Sequence, residues 1–396
     1  MNPTHHSHIG SAETIARNIA SSAESVRALF EIPDDVIYLN CANMAPQLRS
    51  VTRAGIDAVK KKSGPWNLTA SEWFSGPEQL RTVCAQLLGT EADGLALIPA
   101  ASYGIAIAAA NLEINRGQSI VLLDQEFPSN VYAWRELAKR EGAEIRTVKR
   151  TGSETWTTAL LRSIDAKTAI VSVPHCHWTD GGFVDLVRVS ECARNVGAAL
   201  AIDASQSLGA CPLDLQSVQP DFVVAVGYKW LLGPYGLGYM YVAPKWRDRG
   251  TPLEYSWLSR GGSENFSQIV SYRDDYRPGA RRFDMGEFPQ FVLAPMATAA
   301  LEQLLAWGVD HIQRSLSLLT DYVWECATKR GYSALPRSER LGHMIGIRLP
   351  AGILDEVLKR LDQARIYASV RGNALRIAPH LYNNHADIDR LFEVLP

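Results

Sequence analysis

The sequence predicts an α/β fold, a mainly parallel seven-stranded sheet flanked by helices, with a smaller α+β unit beside it. Three observations carry the prediction. Between about residues 95 and 245, short β-rich runs alternate with amphipathic helical runs, as in a parallel sheet wrapped by helices. Each of these runs feeds a short polar or glycine-containing loop. From about residue 290 the pattern changes to long helical stretches and isolated strands. In order, the expected strands are GLALIP (94–99), SIVLLD (119–124), EIRTVK (144–149), TAIVSVP (168–174), ALAIDA (199–204), DFVVAVG (221–227) and GLGYMYV (236–242). The intervening helices include SYGIAIAAANL (102–112), NVYAWRELAKREG (130–142) and DLVRVSECARNVG (185–197). The region 250–282 is the longest expected irregular connection, and such stretches tend to be functional or interfacial. Beyond it, one long helical stretch runs from Pro295 to Gly331, followed by a strand at 343–350, a helix at 353–364 and a strand at 373–379. The segment 15–30 is helical by periodicity and is expected to pack on this second unit.

Composition bounds the function. A chain of 396 residues is long enough for two or three domains and a sizeable core. With 40 Lys and Arg against 42 Asp and Glu, the net charge of −2 supplies no field to recruit nucleic acid or an anionic membrane. A small-molecule partner is expected instead. The six cysteines are scattered without a C-x-x-C pair, which fits a reducing cytoplasm rather than a disulfide scaffold. The opening MNPTHHSHIGSAET lacks the form of a signal peptide, and His5, His6 and His8 read as a polar tail, so no metal site is expected. The weakly polar stretches 95–112 and 222–243 are interrupted by charged, Gly and Pro residues and do not read as membrane spans.

Ligands of parallel α/β sheets sit outside the carboxyl ends of the strands, which directs attention to the residues just past them. Lys229 follows one apolar run and precedes another; burial there would depress its pKa, as an imine-forming amine requires. A lysine reaching solvent from a strand end is the competing account. Asp203 ends ALAID, where it would also serve as a helix N-cap. A lysine and a carboxylate at the ends of successive strands can face one ligand, and pyridoxal phosphate (PLP) uses a lysine for its aldehyde and an acid for its ring nitrogen. Gly233, Gly236 and Gly238 form G-x-x-G-x-G, not a dinucleotide fingerprint, and no Walker-type loop occurs, which disfavours a nucleotide-dependent enzyme.

Several motifs, in order, resemble the class V aminotransferase family of fold-type I PLP-dependent enzymes, over roughly residues 36–395. They are YLNCANMAPQ (38–47), PAASYGIA (99–106), DQEFPSNVYAW (124–134), DASQSLGA (203–210), GYKWLLGPYGLG (227–238), RRFDMGE (281–287) and RIAPHLYNN (376–384). The resemblance is closest to the branch with isopenicillin-N epimerase-like proteins, kynureninases and cysteine desulfurases. It implies a large PLP-binding domain over 45–285 and a small domain from 1–44 and 286–396. It also implies that Lys229 forms the imine with PLP, Asp203 keeps the ring nitrogen protonated, Gln206 bonds the phenolic oxygen and Phe127 stacks on the ring. Ala101 and Ser102, opening a helix, would bind the phosphate with Tyr228. Arg376 would grip the substrate α-carboxylate, with His175 and Asn43 lining the pocket; His177, Trp66 and Tyr103 are further candidates. A homodimer is implied, with 250–290 reaching the neighbouring site.

Departures narrow the activity. Desulfurases carry their sulfur-accepting cysteine on a long loop between two arginines, and here the counterparts, Arg371 and Arg376, are five positions apart. Val226, Gly227 and Glu287 replace hydroxyl residues common in the family, and Trp178 stands where a polar cofactor contact is common. The expectation is a side-chain-cleaving lyase or a transaminase, not a persulfide desulfurase. An epimerase or racemase is the alternative within the family, and a non-catalytic PLP-fold interaction protein the alternative outside enzymology.

Overall fold

The structure, a computed structural model, describes residues 23–350 and 352–396. The histidines near the start and the first half of the expected helix 15–30 lie outside the described residues. In chain order the strands are β1 (Ile37–Tyr38), β2 (Leu95–Ile98), β3 (Ser119–Leu123), β4 (Glu144–Val148), β5 (Thr168–Pro174), β6 (Ala199–Asp203), β7 (Phe222–Val226), β8 (Gly238–Val242), β9 (Ser333–Ala334), β10 (Ile345–Arg348), β11 (Ile366–Tyr367), β12 (Ser369–Arg371) and β13 (Ala374–Ile377). Strands β2 to β8 are the seven expected from the sequence, and they form one sheet in the order β2-β8-β7-β6-β5-β3-β4. Only β8 runs against its neighbours, antiparallel to both β2 and β7. The other six strands therefore end at the same edge.

Alternation along each strand sends side chains to opposite faces. Leu95, Leu97, Val121, Leu123, Val171 and Val173 enter one hydrophobic cluster, while Ala96, Ile98, Ile120, Leu122 and Ile170 enter another. Both faces of the inner strands are thus covered, so these strands read as nearly unbroken apolar runs, whereas the edge strand β4 leaves Glu144 and Thr147 exposed. Gly238, at the start of β8, lets that strand approach β7; a Cβ there would lie 2.7 Å from the Ala225 carbonyl oxygen.

The third cluster gathers Leu39, Leu319, Val323, Ile345, Ile347, Leu375, Ile377 and Leu391 around the antiparallel sheet β12-β13-β10-β9. One expectation fails here. The single helical stretch after residue 290 is two helices, Leu293–Trp307 and Val309–Lys329, broken at Gly308 with φ of 77°. Apolar periodicity runs through the break, but a left-handed glycine ends the first helix. The N-terminal strand joins this unit: β1 pairs in parallel with β11. Among the described residues no helix is long and apolar enough to cross a membrane.

The connection 250–292 holds only short 3-10 turns, as expected. Its anchor is an ion pair that the sequence did not signal. Asp284 receives Arg81 Nη1 at 3.1 Å and Nη2 at 2.8 Å, and its Oδ1 accepts the Leu97 amide at 2.7 Å. Both side chains are wholly buried. Removing one partner of such a pair strands the other in low dielectric. Asp284→Ala is therefore expected to lose about 3–5 kcal/mol in urea unfolding, and Arg81→Met combined with Asp284→Leu much less than the sum of the single losses.

Candidate active site

The shared strand edge collects the residues that matter. Beyond β2 comes the helix Ala101–Asn111; beyond β3, Glu126 and Phe127; beyond β5, His175; β6 ends on Asp203; beyond β7 come Tyr228 and Lys229. Register places Pro174 beside Asp203, and Asp203 beside Val224.

Lys229 is 6% exposed and held by its own turn: its carbonyl accepts the Leu232 amide at 3.0 Å, and the Tyr228 carbonyl accepts the Ala45 amide at 2.9 Å. Burial pulls its amine down to about 8, against the opposing pull of the Asp203 charge and with the help of the Arg376 and Arg371 charges. The solvent-reaching alternative is excluded by this burial. Nζ stands 5.1 Å from the Phe127 ring centroid and 5.8 Å from that of Tyr228. Asp203 is equally buried; its Oδ1 accepts the Ser205 amide at 2.9 Å, and the chain after it forms a turn rather than an α-helix. Burial, then the charges of Tyr235 and Asp203, raises the Tyr228 phenol.

Ala101 is buried and Ser102 exposed in the first turn of their helix, whose N-cap, Ala100, has no side chain to satisfy the free amides. Tyr103, one residue on, has a buried hydroxyl without a partner among the described residues, and its phenol is raised first by burial and then by the Glu254 charge. Arg376 is 1% exposed and donates from Nη1 to the Trp178 carbonyl at 2.7 Å, leaving Nε and Nη2 unpartnered. Burial, reinforced by Arg371, draws its guanidinium down to about 9. A buried cation with two unused donors suits an incoming carboxylate.

Other candidates turn out to be differently employed. Gln206 spends its amide within the protein: Nε2 donates to the Ala42 carbonyl at 2.9 Å and Oε1 accepts from Trp230 Nε1 at 3.0 Å, leaving one N–H for a ligand. His177, expected at the pocket wall, has both ring nitrogens occupied, by Thr179 Oγ1 at 2.8 Å and the Asp124 carbonyl at 3.1 Å, and stacks on Trp156 at 4.8 Å. Its ring lines a polar cleft with its nitrogens already engaged. His175 keeps an unpartnered Nδ1, and burial lowers its pKa to about 4, so it faces its surroundings as a neutral ring. Asn43 is exposed and accepts Arg371 Nη2 at 3.2 Å. Trp66 stands 83% exposed on the turn Pro65–Asn67, and Glu287 is also at the surface.

Sequence reasoning missed Glu126. Its Oε1 accepts the Phe127 amide at 2.7 Å and Oε2 is buried without a partner. Burial and then the charge of Asp203 push it up to about 8, so at neutral pH this acid is largely protonated. Its position three residues past β3 was the available signal, masked by its aromatic neighbour. Among the described residues no cluster of three or more His, Cys, Asp or Glu side chains is arranged to hold a metal ion.

The family profile described as Aminotransferase class-V matches residues 37–391. The chain belongs to the class-V aminotransferase family. It is accordingly a PLP-dependent enzyme of that family. Among curated relatives, the aminotransferase YcbU of Bacillus subtilis is 27% identical over 92% of this chain and 95% of its own. An isopenicillin N epimerase of Streptomyces clavuligerus is 28% identical, covering 80% of this chain and 83% of its own, and a kynureninase of Deinococcus radiodurans 27% identical, covering 92% and 90%. Among solved structures, a cysteine desulfurase from Thermococcus onnurineus superposes with a TM-score of 0.81 over 94% of this chain and 96% of its own, at 18% identity. The architecture is thus that of fold-type I PLP enzymes.

The depressed amine gives this class-V enzyme a testable signature. In the cofactor-free protein, reductive labelling of Lys229 by a small aldehyde should rise with pH and level off above about pH 8, whereas an ordinary lysine titrates near 10.5. Asp203 favours the protonated amine, so Asp203→Asn should shift the midpoint lower still; mass mapping of the labelled peptide across a pH series measures both.

Proposed function

We propose that this enzyme uses PLP, held at the edge where β2, β3, β6 and β7 end, to labilise bonds at the Cα of a free amino acid, as a side-chain-cleaving lyase or a transaminase. The observation that carries this is the buried Lys229 amine, 5.1 Å from the Phe127 ring centre and within electrostatic reach of both the Asp203 carboxyl and Arg376, whose donors are partly unused. When bound, PLP supplies an aldehyde for amines and an electron-withdrawing ring. Lys229, whose amine titrates far closer to neutral pH than an ordinary lysine, would be the nucleophile toward that aldehyde and afterwards the group that moves the Cα proton. Asp203 holds a proton on the ring nitrogen, and Phe127 packs against the ring. The free amides at Ala101 and Ser102, with the Tyr228 hydroxyl, hold the phosphate. Gln206 offers its remaining N–H to the phenolic oxygen, and Arg376 binds the α-carboxylate beside the neutral ring of His175 and Asn43.

In this proposal residues 45–285 form the cofactor-binding domain, and 1–44 with 286–396 the smaller one. Against persulfide desulfuration stands the short β12–β13 hairpin, which leaves no loop for an acceptor cysteine. Cys41, Cys84, Cys176 and Cys211 are buried, and Cys192 and Cys326 sit within helices. A homodimer is supported by the apolar residues exposed along 255–272, where Tyr255, Val270 and Tyr272 are 68%, 75% and 95% exposed. A second copy of the chain would cover them.

The visible spectrum of the protein purified with PLP tests the core of the proposal: a yellow band is expected, lost together with turnover in Lys229→Ala. Retained turnover in that variant would remove Lys229 from its role. Across an amino-acid panel, a keto acid with equal ammonia is the expected lyase outcome and a keto acid formed only with an amino acceptor the transaminase outcome. An enantiomer formed without either would overturn both in favour of epimerisation. Light scattering at micromolar concentration should give twice the chain mass.

A further inference from the structure

The charges around Lys229 are uneven in a way that one amino-acid carboxylate does not resolve. Arg371 and Arg376 lie on β12 and β13, joined by Gly372 and Asn373, with Ser369 opposite Arg376 and Arg371 opposite Ala374. Cross-strand partners, and residues two apart, share one face of a sheet, so both arginines leave the hairpin on the same face. Ser369 on that face donates to Asn40, Arg371 to Asn43 and Arg376 to the Trp178 carbonyl, so the face lies against the site.

From the reacting amine the path to Arg371 is traced by stacked rings. Lys229 Nζ is 5.1 Å from the centre of Phe127; Phe127 meets Trp178 edge-on at 5.5 Å; the Arg371 guanidinium lies 5.7 Å from the centre of Trp178. Trp178 is itself fixed, its Nε1 donating to the Gln125 carbonyl at 2.7 Å. Arg371 is close enough for its charge to act on both Lys229 and Arg376. Its hydrogen bonds within the described residues go to neutral oxygens, those of Val370 and Asn43. Arg376 likewise donates to a carbonyl. A single bidentate α-carboxylate satisfies the two free donors of Arg376, which leaves Arg371 as a second, pre-positioned cation. Arg371 also lines a polar cleft of about 560 Å³ whose walls carry Arg150 and Arg348 together with the carboxylates Asp124, Glu154, Asp180 and Glu339, so the cation facing the amine's neighbourhood is Arg371 itself and not the cleft as a whole.

We propose that the amino acid accepted here carries a second anionic group on its side chain, a carboxylate or a sulfur oxyanion, which Arg371 binds while Arg376 holds the α-carboxylate. The proposal rests on the PLP reading above and specifies its substrate class: an acidic amino acid rather than a neutral or aromatic one.

Unreactive carboxylates test this without turnover, because they lack the amine. Calorimetric titration of the PLP-loaded enzyme compares glutarate with valerate and succinate with butyrate, together with a four-carbon acid bearing a terminal sulfonate. The dianion of at least one length or terminal group should bind about tenfold or more tightly than its monoanionic counterpart, the worth of one charge-assisted contact. In Arg371→Gln that preference should fall below about twofold while valerate binds as before; Arg371→Lys should keep part of it. Arg376→Gln should weaken every ligand. Equal binding of dianions and monoanions by the native enzyme overturns the proposal. So does an equal loss for both in Arg371→Gln, which would make Arg371 a second holder of the α-carboxylate. The visible band of the same samples separates these failures from failure of the PLP reading, which would appear as absence of a Lys229-dependent band.

Discussion

Everything at this strand edge depends on keeping one amine dry. Lowering Lys229 from near 10.5 to about 8 corresponds to a penalty on the order of 3 kcal/mol against its charged form. The fold sustains it by pinning the amine's turn from several sides. Leu232 and Ala45 bond its backbone, and Cys41 Sγ lies 3.9 Å from its carbonyl. Had the turn been free to breathe, the ammonium would have found water and recovered its ordinary pKa. The rigidity of 227–237 is therefore a chemical requirement as much as a packing one.

The same low dielectric sorts the acids. Glu126 and Asp203 lie close enough for the charge of Asp203 to act on Glu126, which makes it costly for both to ionise. The protein resolves this by burying Glu126 with one oxygen unpartnered while Asp203 bonds the Ser205 amide. Division of labour between like groups by environment alone requires no difference in residue type. It leaves the site with more cationic than anionic side chains, a bias toward anionic ligands.

Much of this was legible in the sequence because parallel sheets advertise themselves. Short β-rich runs located all seven strands, and the rule that ligands gather at strand ends singled out Asp203 and Lys229, which the fold brings to one edge. What was hidden depends on contacts between distant parts of the chain. Gln206 is engaged by Ala42 and Trp230, and its carbonyl by His343, so no local pattern foretold how little of its amide remains free. His177 does line a cleft, but its ring is engaged by Trp156, Thr179 and Asp124, contacts that no local pattern foretold. The helix break at Gly308 was invisible because periodicity records which face is apolar and not whether the axis turns.

The pairing of β1 with β11, and the bridge from Asn40 to Ala378, carries a consequence for biosynthesis. A chain emerging from the ribosome displays Ile37–Tyr38 long before the strand it must join, Ile366–Tyr367, has been made. The loop just after β1 supplies Ala42 to Gln206 and Asn43 to Arg371, and the second of these contacts waits until synthesis has passed residue 371. The central sheet, complete by Val242, is free to collapse beforehand as a unit. A nascent chain that has not yet reached residue 366 would thus own Lys229 while lacking the hairpin that carries Arg371 and Arg376, so the amine is made well before the two cations that act on it.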